Sequence, residues 1–267
     1  MREASTQVLS TTSAVTVTDV RFPCPSIGGR LWYRAIVPTV APGERLPVLY
    51  LLHGANSDAG EMQQSSEAIR YATAERLIVV IPDAHNSYYT NAKHRRYARW
   101  EDAIAFDLAH DAEARFPILP GREHRGVAGI SMGGYGAVKL ALKHPELYSF
   151  AGSMSGAFDI TRRPATLRRP IQTLRIWTLF GLHRSVRQDE DIFLLLNRAP
   201  TSQLQNTKWF VSCGKADALY AVNTRFLHEL HTHGIPIKGV FTPGIHDWQT
   251  WTPTMPLLFK AAGEALH

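Results

Sequence analysis

The chain has 267 residues, 45% apolar and 19% charged, with 19 Gly, 16 Pro and two Cys. That composition excludes collagen-like, low-complexity and disordered classes, and no run of 18 apolar residues exists to cross a membrane as a helix. The formal charge of +6 invites a nucleic-acid reading, but no Lys/Arg tract beyond pairs and no zinc-finger or RNA-binding signature supports one.

This length suits one hydrophobic core, so residues 1–267 are expected to form a single domain. Cys24 and Cys213 match no metal spacing and read as two free thiols, with a single bridge as the alternative. Residues 1–13 lack the apolar stretch of a secretory signal, which points to the cytoplasm, or to secretion if a leader has been removed.

In chain order, Ala14–Phe22 and Arg30–Val37 alternate or are rich in branched and aromatic residues around Ser26-Ile27-Gly28-Gly29, predicting an antiparallel hairpin at a sheet edge. After Pro47 come short runs that are apolar nearly throughout: 48–52, 77–81, 126–130, 150–154, 209–213 and 237–241. Continuous apolarity over five residues is expected of strands buried on both faces of a parallel sheet. Helical patterns lie between them, over 100–116 with Ile104, Leu108 and Ala112 on one stripe, then 135–142, 221–233 before Gly234, and 251–266. The alternation predicts an α/β fold, mostly parallel, with helices on both faces.

Residues 157–205 break this alternation and read as a cap or lid insertion. Pro170 is expected to open a short apolar helix carrying Ile171, Leu174, Trp177 and Leu179. Residues 157–188 hold seven arginines against one acid, Asp159. Those arginines are expected on the outer face of the cap. Arg95, Arg96 and Arg99 read as solvated surface, as do His228, His231 and His233, one residue short of a zinc-protease spacing. No metal site and no cofactor are expected.

Gly129-Ile130-Ser131-Met132-Gly133 fits G-x-S-x-G. About one chain in thirteen of this glycine and serine content would show it by chance. Its context is decisive: an apolar strand precedes it and a helix follows, the setting of a nucleophile elbow. Ser131 is then the nucleophile, and the Met132 N–H faces a developing oxyanion. Such a serine needs a base and the base an orienter, in the order Ser, acid, His. His246 follows the last strand and Asp217 the penultimate one. Asp247 is the rival acid, but a sequence neighbour points away from the ring. Asp83 falls in the wrong chain order. The second oxyanion donor is expected from the loop after the first parallel strand, at Ala55.

At these residues the chain resembles the esterase D family of α/β-hydrolases, in its tributyrin and feruloyl esterase branch, with formylglutathione hydrolases and mycolyltransferases as relatives. The matching motifs are Leu51-Leu52-His53-Gly54, Ile81-Pro82-Asp83 with Asn86-Ser87-Tyr88-Tyr89-Thr90, Gly129 to Ala137, Ser153-Met154-Ser155-Gly156, Cys213-Gly214-x-x-Asp217 and His246-Asp247-Trp248-x-x-Trp251. The resemblance implies an α/β-hydrolase fold and the same roles for Ser131, Asp217, His246, Ala55 and Met132. Two departures stand out. Formylglutathione hydrolases carry a cysteine-containing loop where this chain has His53-Gly54-Ala55-Asn56-Ser57, and Ser-Trp-Tyr is usual where it has Ser87-Tyr88-Tyr89.

The expected activity is that of a serine carboxylic ester hydrolase acting through an acyl-enzyme on short-chain or aromatic acyl esters. Alternatives are an acyltransferase, a formylglutathione-type thioesterase and a non-catalytic binding protein on the same fold. Its partner is a small-molecule ester, with no nucleic acid or membrane involved. The substrate wall is expected to include His53, Tyr88, Tyr89, Trp177 and Trp248.

Overall fold

The computed structural model describes residues 4–94, 98–163, 170–235 and 237–267. Among these, the strands are β1 (Ser5–Thr11), β2 (Val15–Cys24), β3 (Gly29–Pro38), β4 (Val48–Leu52), β5 (Ile78–Pro82), β6 (Arg125–Ile130), β7 (Phe150–Met154), β8 (Lys208–Gly214) and β9 (Val240–Thr242). They form one sheet in the order β1-β2-β3-β5-β4-β6-β7-β8-β9. Pairings from β1 to β5 are antiparallel and the rest are parallel. This is the α/β-hydrolase class of sheet.

Two expectations need correction. The β2–β3 hairpin is not the edge, because β1 covers β2. Its residues STQVLST are exposed at all seven positions, so no apolar alternation marks them as a strand. At the other edge, β9 starts later than expected and is only half-buried, since it pairs on one side alone.

The helices are α1 (Ala59–Ser65), α2 (Ala68–Ala74), α3 (Trp100–Asp102), α4 (Ala109–Arg115), α5 (Met132–Lys143), α6 (Pro170–Phe180), α7 (Ile192–Arg198), α8 (Thr201–Gln205), α9 (Tyr220–Thr232), α10 (Trp248–Trp251) and α11 (Met255–Leu266). Side chains alternate along β4. Val48, Tyr50 and Leu52 pack with α5, α7 and α9, while Leu49 and Leu51 pack with α1, α2 and α11. That two-sided burial is why the strand carries no polar residue. The expected 100–116 helix forms with Ile104, Leu108 and Ala112 buried, but its middle turn, Ala103–Leu108, is a π-helix. From this wider turn Asp107 accepts from the Ser26 N–H at 2.9 Å and the Cys24 thiol at 3.1 Å.

The insertion carries α6 where Pro170 predicts it, followed by α7 and α8. Among the arginines of residues 157–188, the three whose side chains are described, Arg162, Arg163 and Arg187, do not form a free basic face. Arg187 is buried and donates to the Gly181, Thr161 and Leu182 carbonyls. Arg162 pairs with Asp191 at 2.5 Å, and Arg163 with Asp159 at 2.9 Å. The carboxylate that neutralises Arg162 lies just beyond the arginine-rich stretch in sequence. Arg95, Arg96, Arg168, Arg169 and the side chains of Ile171, Arg175 and Arg184 lie outside the described residues.

One buried ion cluster ties the insertion to α5. Lys139, fully buried, lies 2.8 Å from Glu190 and 3.2 Å from Glu101, and donates to the Tyr89 carbonyl at 2.8 Å. Lys143 and His144 meet Glu101 at 2.8 and 3.1 Å. Burial alone would raise the Glu101 carboxyl, but Lys139, His144 and Lys143 hold it far below the usual carboxylate range. A buried ion pair is of small net benefit when whole and costly when halved. Lys139→Met should therefore destabilise the fold by roughly 3–5 kcal/mol, read as a lower urea midpoint with an unchanged slope.

Candidate active site

The turn after β6 places Ser131 at φ 55° and ψ −109°, a strained conformation for a residue with a side chain. Packing imposes it. A Cβ on Gly133 would lie 2.1 Å from the Leu52 carbonyl oxygen, and one on Gly129 would lie 2.5 Å from the backbone of Gly133. Only glycine lets α5 cross β4 and β6 this closely. The Ser131 N–H donates to the Met154 carbonyl at 2.9 Å, and the Ser131 carbonyl accepts from the Ala157 N–H at 3.1 Å.

Three loops converge on this turn, each following a parallel strand. Ser131 Oγ lies 2.9 Å from His246 Nε2, and His246 Nδ1 lies 2.8 Å from Asp217 Oδ2. The carboxylate selects the Nδ1–H tautomer, leaving Nε2 to accept the serine proton. Burial would raise the Asp217 carboxyl, but hydrogen bonds from His246 and the Leu219 N–H keep it below the usual range. Asp247 is occupied elsewhere: it caps α10, accepting from the Thr250 N–H at 3.0 Å and the Thr250 hydroxyl at 2.9 Å. Asp83 instead lies 3.9 Å from His53 Nε2.

Ser131 and His246 open onto a cleft of about 370 Å³ that Gly54, Ala55, Trp248 and Trp251 also line. It sits where the strand order reverses, between the ends of β4 and β6, the usual place for a site in such sheets. Ala55 lies beside Ser131 in this lining, and Met132 is the first residue of α5, where the N–H has no carbonyl a turn earlier.

Of the residues expected in the substrate wall, Trp248 lines the cleft. His53 and Tyr89 do not, being fully buried behind it. The His53 ring donates from Nδ1 to the Gly54 carbonyl at 2.7 Å and accepts the Ala84 N–H at Nε2, 3.0 Å away. Burial lowers its pKa, so it is a neutral strut between two loops. The Tyr89 hydroxyl donates to the His53 carbonyl at 2.9 Å. Tyr88 packs edge-on against Tyr135 and Phe180. Trp177 is half-buried on α6, and among the described residues none from 157–205 lines the cleft. An apolar helix in an insertion has a second use, covering the body of the fold, and sequence does not separate the two. Trp251 is the residue that single-residue reasoning overlooks. Its ring meets the His246 imidazole edge-on, 4.9 Å between centroids and 88° between planes.

Comparison with known proteins decides the family. The family model described as "Putative esterase" matches residues 25–260. The chain belongs to the esterase family. This esterase is 25% identical over 222 residues to an acetyl esterase of Caldicellulosiruptor saccharolyticus, covering 81% of this chain and 83% of that one. It is 29% identical over 260 residues to an esterase of Mycobacterium tuberculosis, where 85% of this chain spans 54% of the relative. An S-formylglutathione hydrolase of Agrobacterium tumefaciens shares its fold, with a TM-score of 0.84 at 17% identity over 98% of this chain and 100% of the other. The protein is an esterase.

Asp217→Asn should lower kcat on the order of 10⁴-fold, because an amide favours the wrong imidazole tautomer. Asp247→Asn should cost only a fraction of a helix cap, about 1 kcal/mol or less, with kcat within a few-fold of the parent. Steady-state kinetics on the two purified variants ranks the carboxylates directly.

Proposed function

We propose that the esterase cleaves short-chain and small aromatic acyl esters through an acyl-enzyme on Ser131. The observation that carries this reading is the continuous relay from Ser131 Oγ to His246 at 2.9 Å and on to Asp217 at 2.8 Å. Ser131 attacks the ester carbonyl while His246 Nε2 takes its proton. Asp217 holds the tautomer and stabilises the imidazolium without taking the proton itself. The Ala55 and Met132 N–H groups receive the developing oxyanion, a stabilisation strengthened by their fixed position at the turn and helix start. His246 then protonates the leaving alcohol. Water attacks the acyl carbon while giving a proton to His246, which returns it to Ser131 Oγ as that bond breaks and the acid leaves.

The acyl preference rests on the cleft. At about 370 Å³, with Trp248 and Trp251 in its lining, it suits an acetyl, butyryl or feruloyl-sized group. The acetyl esterase relative accords with the small end of that range. The described residues of the 157–205 insertion act as a cap over the body of the fold, held by the Lys139 cluster, and leave the cleft to the loops around Ser131.

Ser131→Ala should lower kcat by roughly 10⁶-fold with the fold intact. A fluorophosphonate should add a single label at Ser131, mapped by peptide mass spectrometry; labelling elsewhere removes the assignment. Across a p-nitrophenyl ester series, kcat/KM should peak at acetyl to butyryl and fall beyond about ten carbons. Strong palmitoyl hydrolysis would refute the acyl assignment.

A further inference from the structure

The Ala55 N–H, the second oxyanion donor of the proposed mechanism, lies on the short loop that follows β4. Among the described residues it donates to no protein acceptor, so it stands open beside the nucleophile. A Cβ on Gly54 would lie only 3.7 Å from the Ser131 Cβ, which measures how closely this loop passes. An N–H in such a place stabilises charge well only if its direction is fixed before the substrate arrives. The peptide planes on either side of Ala55 set that direction.

Both planes are pinned, and the same neighbouring loop supplies the anchors. In the Gly54–Ala55 peptide the carbonyl points opposite to the Ala55 N–H, and it accepts from the His53 Nδ1–H at 2.7 Å. The His53 ring is itself anchored, with Nε2 accepting the Ala84 N–H at 3.0 Å. In the Ala55–Asn56 peptide, the Asn56 N–H donates to Asn86 Oδ1 at 2.7 Å. The other half of the Asn86 amide donates from Nδ2 to Asn56 Oδ1 at 3.0 Å, so two bonds join the two asparagines. This clamp holds Asn56 at φ 63°, a left-handed conformation that asparagine tolerates better than most residues.

The Asn86 side chain is held from behind. At the root of its loop the Asp83 N–H donates to the Trp32 carbonyl at 2.9 Å, and the Ser87 N–H closes a turn onto the Ala84 carbonyl at 3.3 Å. Asn56 lines the catalytic cleft and Asn86 does not. Asn86 therefore reaches the reaction only through the loop it clamps.

We propose that Asn86 is a positioning residue for this reaction: its side-chain amide locks the Ala55–Asn56 peptide and so aims the Ala55 N–H at the oxyanion. The proposal rests on the reading of Ser131 as nucleophile and Ala55 as oxyanion donor. Without the clamp the N–H samples other directions. The transition state, which carries the oxyanion, then loses more than the bound ester does.

Asn86→Ala removes both bonds, whereas Asn86→Asp keeps an oxygen for the Asn56 N–H. Rates on p-nitrophenyl acetate are normalised to Ser131 sites labelled by a fluorophosphonate, and inhibition by an alkyl trifluoromethyl ketone is measured beside them. Ser131 Oγ adds to the ketone carbon, its proton passing to His246 and the carbonyl electron pair to the ketone oxygen. That adduct puts an oxyanion where the ester reaction develops one. The alanine variant should lose about tenfold in kcat with KM within twofold, and about tenfold in ketone affinity. The aspartate variant should stay within about threefold of the parent in both. An alanine variant with the parent's kcat would overturn the proposal, as would a lowered kcat with unchanged ketone affinity. An aspartate variant as slow as the alanine one would overturn it too, because an acceptor for the Asn56 N–H would then not be what matters. Should the alanine variant fail to fold, Asn86→Ser decides in its place, since serine suits the turn but its hydroxyl is too short to reach Asn56. Failure of the parent to label at Ser131 would instead overturn the catalytic reading on which the proposal stands.

Discussion

The whole arrangement depends on one close contact, where the start of α5 crosses the ends of β4 and β6. Gly133 passes the Leu52 carbonyl at a distance that admits no side chain, and Gly129 does the same against Gly133. Because the chain must turn there within a few atoms, Ser131 is forced to a positive φ and its hydroxyl stands clear of both elements. The same contact brings the loop after β4 against the nucleophile, so Ala55 lies beside Ser131, with the His53 ring bracing the Gly54 carbonyl just before it. Strain is tolerated because the surrounding sheet over-determines the turn. Tyr88, Tyr89 and Ser155 also take positive φ, and Tyr89 and Ser155 are buried behind the same site.

Charge illustrates how a count along the chain differs from a field in space. Residues 157–188 look strongly basic, yet Arg162 and Arg163 are paired and Arg187 is buried against carbonyls. A guanidinium presents donors in a fixed fork, which suits it to tying backbone carbonyls and carboxylates within an insertion. The opposite case is Lys139, an unremarkable lysine in a helix of small apolar residues. Because α5 is buried on nearly every side, that lysine has to find carboxylates, and it finds one on the 100–115 segment and one on the insertion.

Fold and chemistry were legible to different depths. Five-residue apolar runs mark buried parallel strands because both faces of such strands are dry; 48–52 and 150–154 appear as written, and 126–130 is extended by Arg125. An exposed, polar edge strand such as β1 leaves no comparable pattern. Helical stripes survive a change of helix type, as the π turn at 103–108 shows, since burial of Ile104 and Leu108 does not require a uniform hydrogen-bond period. The wall of the cleft was the least legible part. His53 and Tyr89 are polar aromatics beside the site in sequence, and whether such a ring faces substrate or props a loop is set by hydrogen bonds to Gly54, Ala84 and His53 that no local pattern encodes.

The sequence by itself determined the α/β class, the elbow and the chain order of Ser131, Asp217 and His246, because each depends on local sterics or on residues at the ends of recognisable strands. Only the tertiary structure supplied what occupies the rival carboxylate: Asp217 meets the imidazole, while the Asp247 oxygen is taken by the Thr250 N–H and hydroxyl. It alone also decided that the 154–157 segment bonds the backbone of Ser131. That segment becomes the nucleophile's neighbour only when β6 and β7 pair in register, Ile130 opposite Met154, and long-range pairing of this kind is a property of the sheet rather than of any segment within it.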